Sequence, residues 1–451
     1  MRIAIRRVPS APFGAGRLVF LTYLSVVSAR GLNQDGVSRD PTHSIDATVP
    51  PGQGRSPSTW RDPRPTLSSA ARLACFVLIV LAVNCGSSSL KHLLAEVDRQ
   101  GRLGESFSEG KVEGTPSRHP IHELLDQLRE KRLLERVEAV GHRVVHGGER
   151  FVEPVRVDGE VLAELDRLSE LAPLHNPPAV GGIREALAAL PRMPQVAVFD
   201  TAFHAAMPAT GARYAVPDDW VSRFGVRRYG FHGLAHRWMA ERYAELSGRP
   251  LDTLRLITLQ LGSGCSAAAI AGGRSVDTSM GMTPTEGLVM ATRSGDADPT
   301  LVEVVSRLAG RSPKAVADDL NHRAGLLGLS GRSGDMRELL EAARDGDARA
   351  GLAVEIFAYR VRKYVGAYLA ALDTVDAIVF GGGIGEASAE VRARILGGLE
   401  GLGITLDPAR NGALKGEGPI GAADSRIAIH VVTVDEAALI CRDTAAAVAR
   451  E

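Results

Sequence analysis

An apolar strand running into a glycine-rich turn recurs three times along this chain, and that recurrence constrains the fold more than any other feature. Residues 77–89 read VLIVLAVNCGSSS, residues 256–266 read LITLQLGSGCS, and residues 377–386 read AIVFGGGIGE. Turns of this kind, free of bulky side chains, let backbone N–H groups approach a phosphate or a sugar closely. One such turn is ordinary punctuation. Three in one chain imply two related halves that grip a nucleotide between them.

Length and charge agree with that expectation. A chain of 451 residues exceeds one typical core, so two domains are expected. Lys plus Arg and Asp plus Glu both number 53, which gives no electrostatic case for a nucleic-acid or anionic-membrane partner. The four cysteines, Cys75, Cys85, Cys265 and Cys441, lie far apart without a CxxC pair. This excludes a zinc finger or disulfide scaffold and fits a reducing cytoplasm.

Residues 1–74 differ in character. They hold ten Arg but no Lys or Glu, and a third of the prolines, with little periodicity. They read as an extension outside the fold, disordered or produced by a misplaced start, although residues 18–29 (LVFLTYLSVVSA) imitate a secretory signal. The run from Leu73 to Val83 is too short to span a bilayer and reads as a buried strand.

Beyond the extension, strands alternate with helices in both halves, so the class is α/β. Strands are expected at residues 76–84, 90–97, 138–146, 195–203, 254–261 and 267–275, the last two as a hairpin around Ala271-Gly272-Gly273. Residues 120–137 carry Ile121, Leu124, Leu125, Leu128, Leu134 and Val137 at helical spacing. A long helix is expected over 355–372, and a last one from about Asp435, whose acidic start suits the positive end of a helix dipole. The CGSSS turn is followed by a strand and lacks a GK[ST] ending, so it is no P-loop. The domains then read as 75–203, with the helix 435–451 packing back on it, and 204–434 as the nucleotide-binding half.

Four segments carry residues suited to chemistry. GHRVVHGGER places Arg143 at the end of a strand, and VMATRSGDADP places Arg293 in a loop closed by Asp298-Pro299. A guanidinium matches both carboxylate and phosphoryl groups in bidentate geometry, so two separated arginines beside a phosphate turn could clamp one of each. FDTAFH ends an apolar strand on Asp200, a position for polarising or holding a metal-bound water. RYGFHGLAH sets His232 in a glycine-flanked turn as a donor to negative charge.

The strings NCGSSSLK, GHRVVHGGERF, LAPLHNPPAV, FDTAFH, RYGFHG, TSMGMTPTEGLVMATRSGDADP, GLLGLSGRSGDMREL, FAYRVRKYVGAY and FGGGIGE, in this order over residues 77–450, resemble the acetate kinase family. The resemblance implies a duplicated ribonuclease-H-like fold of the sugar kinase, Hsp70 and actin group, normally homodimeric and cytoplasmic. It implies reversible phosphoryl transfer from ATP to acetate by direct in-line displacement, with Mg2+ or Mn2+, the alternatives being a propionate kinase or a catalytically impaired nucleotide-binding homologue. It implies that Arg143, Asp200, His232 and Arg293 are catalytic. Arg143, Val145, Leu174, Phe231 and Pro284 would meet the substrate, while Asn84 and Glu436 would hold the metal. Ser87, Ser89, Lys91, Gln260, Gly262, Ser263, Gly264, Asp335, Met336, Arg337, Gly383, Ile384 and Gly385 would meet the nucleotide.

This chain also departs from the family pattern. Gln260 and Ser263 stand in QLGSGCS where the family has HLGNGSS, Leu234 and Ala235 stand in HGLAH where it has HGTSH, and Ala387 replaces an asparagine. The interval from Asn84 to Arg143 is shorter than usual by roughly two dozen residues, consistent with a trimmed edge of the first half. These changes bear on rate and substrate choice. The charged set is intact.

Overall fold

The computed structural model describes residues 77–86, 89–114, 119–170, 172 and 176–450. Residues 1–74, Ser87 and Leu174 therefore lie outside the described residues.

Two sheets dominate, each of six strands. The first is built from β1 (Leu78–Cys85), β2 (Ser89–Val97), β3 (Leu103–Glu113), β4 (Ala139–Val144), β5 (Val155–Arg156) and β6 (Gln195–Phe199), in the order β3-β2-β1-β4-β6-β5. The second contains β7 (Arg255–Leu261), β8 (Cys265–Ala271), β9 (Arg274–Thr278), β10 (Ala377–Gly381), β11 (Gly418–Pro419) and β12 (Ala428–Val431), in the order β11-β12-β10-β7-β8-β9. Written from the other edge, the second order repeats the first strand for strand. In each sheet the opening three strands form an antiparallel meander, two parallel strands follow, and a short antiparallel strand closes the edge. This is a duplicated ribonuclease-H-like fold.

The central strands are apolar throughout because helices cover both faces of each sheet. On β1, Val80 and Ala82 pack against Leu439, Ile440 and Cys441 of the helix Glu436–Val448. The alternate residues Ile79, Leu81 and Val83 pack against Ile121, Leu124 and Leu128 of the helix Pro120–Glu130. On β7 the same alternation places Leu256 against Met239 and Tyr243 of the helix Gly233–Ser247. Ile257, Leu259 and Leu261 meet Phe357, Val361 and Val365 of the helix Ala348–Leu372.

The two inner helices are exchanged between the halves. Gly233–Ser247 follows the strands of the first sheet yet covers the second, whereas Glu436–Val448 follows the second sheet and covers the first. Arg237 joins them by donating from Nη1 to both oxygens of Asp443, at 2.9 and 2.8 Å. Trp238 packs against the cores of both halves. Leu234, one of the departures noted above, fills the first-sheet core beside Leu439. A side chain that packs there has no use for a hydroxyl.

The structure corrects several boundaries. The first helix stops at Glu130, because Arg132 adopts a left-handed conformation (φ 54°) and the Leu133 N–H reaches back 2.8 Å to the Leu128 carbonyl. β6 ends at Phe199, so Asp200 sits just past a strand, while the long helix begins earlier, at Ala348. Gly272 and Gly273 turn β8 into β9, and the hairpin between β7 and β8 instead turns at Gly262–Gly264. The FGGGIGE segment runs from β10 directly into a short helix, Gly382–Ala387.

Among the described residues no helix is long and apolar enough to cross a membrane. One amphipathic helix, Leu301–Ala309, buries none of its residues, and Leu308 is 75% exposed. Leu352 and Tyr359 on the helix Ala348–Leu372 are also exposed.

Candidate active site

The second and third glycine turns close on each other, and the ends of the strands flanking the first face them across one cavity. Gly382 adopts φ 75°, and a Cβ there would lie 2.7 Å from the Leu261 carbonyl, so the third turn closes on the second only because the residue is glycine. Glu386 fixes this approach by accepting from the Gly382 N–H (2.9 Å) and the Val434 N–H (3.2 Å). Arg392, almost fully buried, caps the same short helix by donating to the Gly385 and Glu386 carbonyls at 2.9 and 2.8 Å. A cavity of about 510 Å3 opens between these turns and the first sheet, lined by Asn84, Lys91, Gln260, Gly383 and Glu436 among others. Five residues assigned to nucleotide or metal by the sequence thus share one space.

Arg143 leaves the end of β4 into that region. Its Nε donates to Asp200 Oδ1 at 3.0 Å, its Nη2 donates to Asp200 Oδ2, and its Nη1 donates to Asn84 Oδ1 at 3.2 Å. Glu436 Oε2 lies 3.8 Å from Nε. The Asp200 side chain is 1% exposed and Arg143 18%, so the pair is largely withdrawn from water. Burial by itself would lower the Arg143 pKa, but the carboxylates of Asp200 and then Glu436 outweigh it and the net shift is upward. Burial, aided by Asp200, raises the pKa of Glu436 against the opposing pull of Arg143. Asp200 thereby holds a permanently charged guanidinium in one orientation.

His232 is tied to this pair through the backbone. It occupies a left-handed conformation (φ 56°) at the head of the helix Gly233–Ser247. A Cβ on the next residue, Gly233, would stand only 1.9 Å from the Asp200 carbonyl oxygen. Only glycine permits that contact, which sets His232 beside the Arg143–Asp200 pair. From the other side, a Cβ at Gly264 would lie 3.3 Å from both Cε1 and Nε2 of His232 and 3.8 Å from Nη1 of Arg293. The phosphate-type turn, His232 and the second arginine therefore meet at one point.

Arg293 has a different electrostatic setting from Arg143. Its Nη1 donates to the Pro284 carbonyl at 2.9 Å and lies 3.4 Å from the Met290 sulfur. Among the described residues no carboxylate pairs with it, and burial lowers its pKa. A half-buried cation without a counter-charge is an anion site in waiting. Phe231 is buried and Val145 packs against the same core cluster, while Pro284 is tied to Arg293, so an apolar wall stands beside the charged groups.

Other site candidates lie apart from this centre. Asp335 caps the helix Met336–Arg344 and pairs with Arg337, whose side chain is 90% exposed. Met336 is buried in the second core. The preceding Gly334 is nevertheless close to the glycine turn, since its Cβ would lie 2.9 Å from the Ala291 carbonyl and the Ala291 N–H donates to the Ser263 carbonyl at 2.9 Å. Ser263 is exposed, and the buried Oε1 of Gln260 has no hydrogen-bond partner among the described residues.

The sequence reading overlooked several supports: Glu386, Arg392, Gly233, and the trio Thr258, Ser266 and His236 behind His232. Glu386 and Gly233 lie within the quoted strings FGGGIGE and RYGFHG, and His236 left a signal by falling four residues after His232, on the same helix face.

A family model described as "Acetokinase family" matches residues 104–442. Acetate kinase from Bacillus subtilis (strain 168) is 44% identical over 386 residues, covering 81% of this chain and 98% of that protein. Among solved structures, Porphyromonas gingivalis acetate kinase superposes with a TM-score of 0.76 at 38% identity, over 82% of this chain and 100% of the other. A propionate kinase from Francisella tularensis gives a TM-score of 0.76 at 37% identity, over 82% and 99%.

The geometry around Arg143 makes one stability prediction. Asp200→Ala leaves the guanidinium without its bidentate partner and is expected to destabilise the protein by about 3–5 kcal/mol. Chemical denaturation would measure it, and a change below about 1 kcal/mol would show that Glu436 and Asn84 suffice to hold Arg143.

Proposed function

The chain belongs to the acetokinase family, and from that premise we propose how its cleft performs the reaction. The protein is an acetate kinase: it transfers a phosphoryl group between ATP and acetate, giving acetyl phosphate and ADP. One observation carries the assignment of roles. Two arginines from different halves stand on either side of His232, Arg143 through Asp200, whose carbonyl meets Gly233, and Arg293 through Gly264. The first is neutralised by carboxylates, and among the described residues none pairs with the second.

Arg143, oriented by Asp200, binds the acetate carboxylate, and the methyl group rests against Val145, Phe231 and Pro284. The nucleotide phosphates lie on the backbone of Gly262–Gly264, with Ser89, Lys91, Gln260 and the turn Gly383–Gly385 around them. Ser263, exposed on the same turn, extends the nucleotide site. A carboxylate oxygen attacks the terminal phosphorus in line. The new O–P bond forms as the bond to the β-phosphate oxygen breaks, and ADP departs with that electron pair. Negative charge on the equatorial oxygens is met by Arg143, Arg293 and His232, so catalysis is positioning and electrostatics without a phosphoenzyme.

Magnesium fits the residues present. Asn84 and Glu436 offer hard oxygen donors on one cavity wall, and Mg2+ commonly takes one or two protein oxygens plus substrate phosphates and waters. When bound, the ion would neutralise phosphate charge. Acetate and propionate differ by one methylene, worth about 1–3 kcal/mol in such a pocket, and the apolar wall admits both. We further assign residues 75–203 with 435–451 to one domain and 204–434 to the other, and place the protein in the cytoplasm.

Hydroxamate trapping with ATP, Mg2+ and acetate tests the roles. Arg143→Ala and Arg293→Ala are each expected to lower kcat on the order of a hundredfold or more. Near-normal turnover in both would move the centre elsewhere. The double change Gln260→His with Ser263→Asn is expected to raise kcat with less effect on the KM for acetate, because it supplies a cationic form and a longer amide at the phosphate turn. Unchanged or lower kcat would mean that the loop is already adapted to its neighbours.

The protein is also proposed to be a homodimer through exposed apolar side chains of the helix Leu301–Ala309, with Leu352 and Tyr359 exposed on the helix Ala348–Leu372. Sedimentation should give a dimer for the native chain and a monomer for Leu308→Asp. A native monomer would contradict this.

A further inference from the structure

Behind His232 a chain of polar groups runs into the second half with no outlet to solvent. Ser266 Oγ lies 2.8 Å from His232 Nδ1 and 2.7 Å from His236 Nε2, and His236 Nδ1 lies 2.7 Å from Thr258 Oγ1. Ser266, His236 and Thr258 are all fully buried. Thr258 and Ser266 sit on adjacent strands with their side chains on one face, since Thr258 pairs with Ala268 and Gln260 with Ser266. The helix presents His232 and His236 one turn apart above them.

We propose that Thr258, His236 and Ser266 form a relay that fixes the tautomer of His232, which makes His236 and Ser266 positioning residues for phosphoryl transfer. The inference rests on the donor role given to His232 above. A neutral imidazole donates through one nitrogen and accepts through the other, and a hydroxyl has a single proton, so the chain has only two polarities. In the first, Thr258 O–H donates to His236 Nδ1, His236 Nε2–H donates to Ser266 Oγ, and Ser266 O–H donates to His232 Nδ1. The proton of His232 is then on Nε2, the atom beside Gly264 and Arg293. In the second, every bond reverses, and His232 Nε2 turns a lone pair toward the phosphoryl site.

Thr258 breaks the tie. Its hydroxyl has His236 Nδ1 as its side-chain partner and is sealed from water. The reversed chain would leave the Thr258 proton without an acceptor, which a buried donor tolerates poorly. Burial and the neighbouring His204 and His232 keep His236 neutral. Adding a proton to His232 Nδ1 would require the whole chain to turn over. His232 therefore acts as a neutral Nε2–H donor, pre-aligned before substrate arrives.

Nitrogen-15 NMR of histidine-labelled enzyme tests the relay directly. In the native protein at neutral pH, His232 is expected to carry its proton on Nε2 alone, and a proton on Nδ1 would overturn the proposal. In kinetics, Ser266→Ala is expected to lower kcat about tenfold or more with the KM values for acetate and ATP little changed. Thr258→Val should fall in the same direction, and Thr258→Ser, which restores the hydroxyl, should recover native turnover. Native kcat in Ser266→Ala, or Thr258→Ser as impaired as Thr258→Val, would also overturn it. The two readings fail separately: native kcat in His232→Ala would remove the donor role, whereas the NMR signature of the unaltered protein decides the relay alone.

Discussion

The buried pair between Arg143 and Asp200 is the constraint on which the rest of the site depends. A guanidinium and a carboxylate taken out of water gain little net stability from each other, and removing either partner strands a charge. The pair fixes the donor directions of Arg143 by two hydrogen bonds to one carboxylate. Asn84 from β1 and Glu436 from the last helix close on the same guanidinium. The backbone of Asp200 in turn receives Gly233, and so sets the position of His232. One ion pair thus registers a strand end, two helix starts and a histidine against each other.

Fold duplication explains how so few elements deliver so much to one place. Each half offers a central strand that ends in a glycine or asparagine turn at the cleft, and each sends its following helix to cover the other half. The exchange puts the starts of both helices, with His232 and Glu436, at the junction. The contrast between the two arginines follows from it. Arg143 lies among carboxylates of the first half and the last helix, while Arg293 stands on a loop of the second half where, among the described residues, no carboxylate pairs with it. A phosphoryl group placed between them would bring its own negative charge to the less compensated side.

Much of this architecture is written in local sequence. Continuous apolar runs such as LIVLAV mark strands covered on both faces, and Asn84, Arg143, Asp200, His232 and Glu436 all sit where those runs or their following helices begin or end. What the sequence hides is cooperation over distance. Arg143 and Asp200 are 57 residues apart, and nothing local says that one holds the other. Thr258 and Ser266 are single hydroxyls inside apolar strands, indistinguishable by pattern from ordinary β-formers. The end of the first helix turns on the left-handed Arg132, a conformation no propensity assigns to arginine. Arg337 carries a motif in the sequence, yet in the structure it is exposed and paired with Asp335.

The central claim, that Arg143, Arg293 and His232 converge on one transferring phosphoryl group at the Gly262–Gly264 turn, is tested most directly by a crystal structure with magnesium, ADP, aluminium fluoride and acetate. The account predicts a planar fluoride between acetate and ADP, with its equatorial fluorines met by both guanidinium groups and by His232 Nε2. A fluoride bound away from either arginine, or one approached by no imidazole nitrogen, would contradict it.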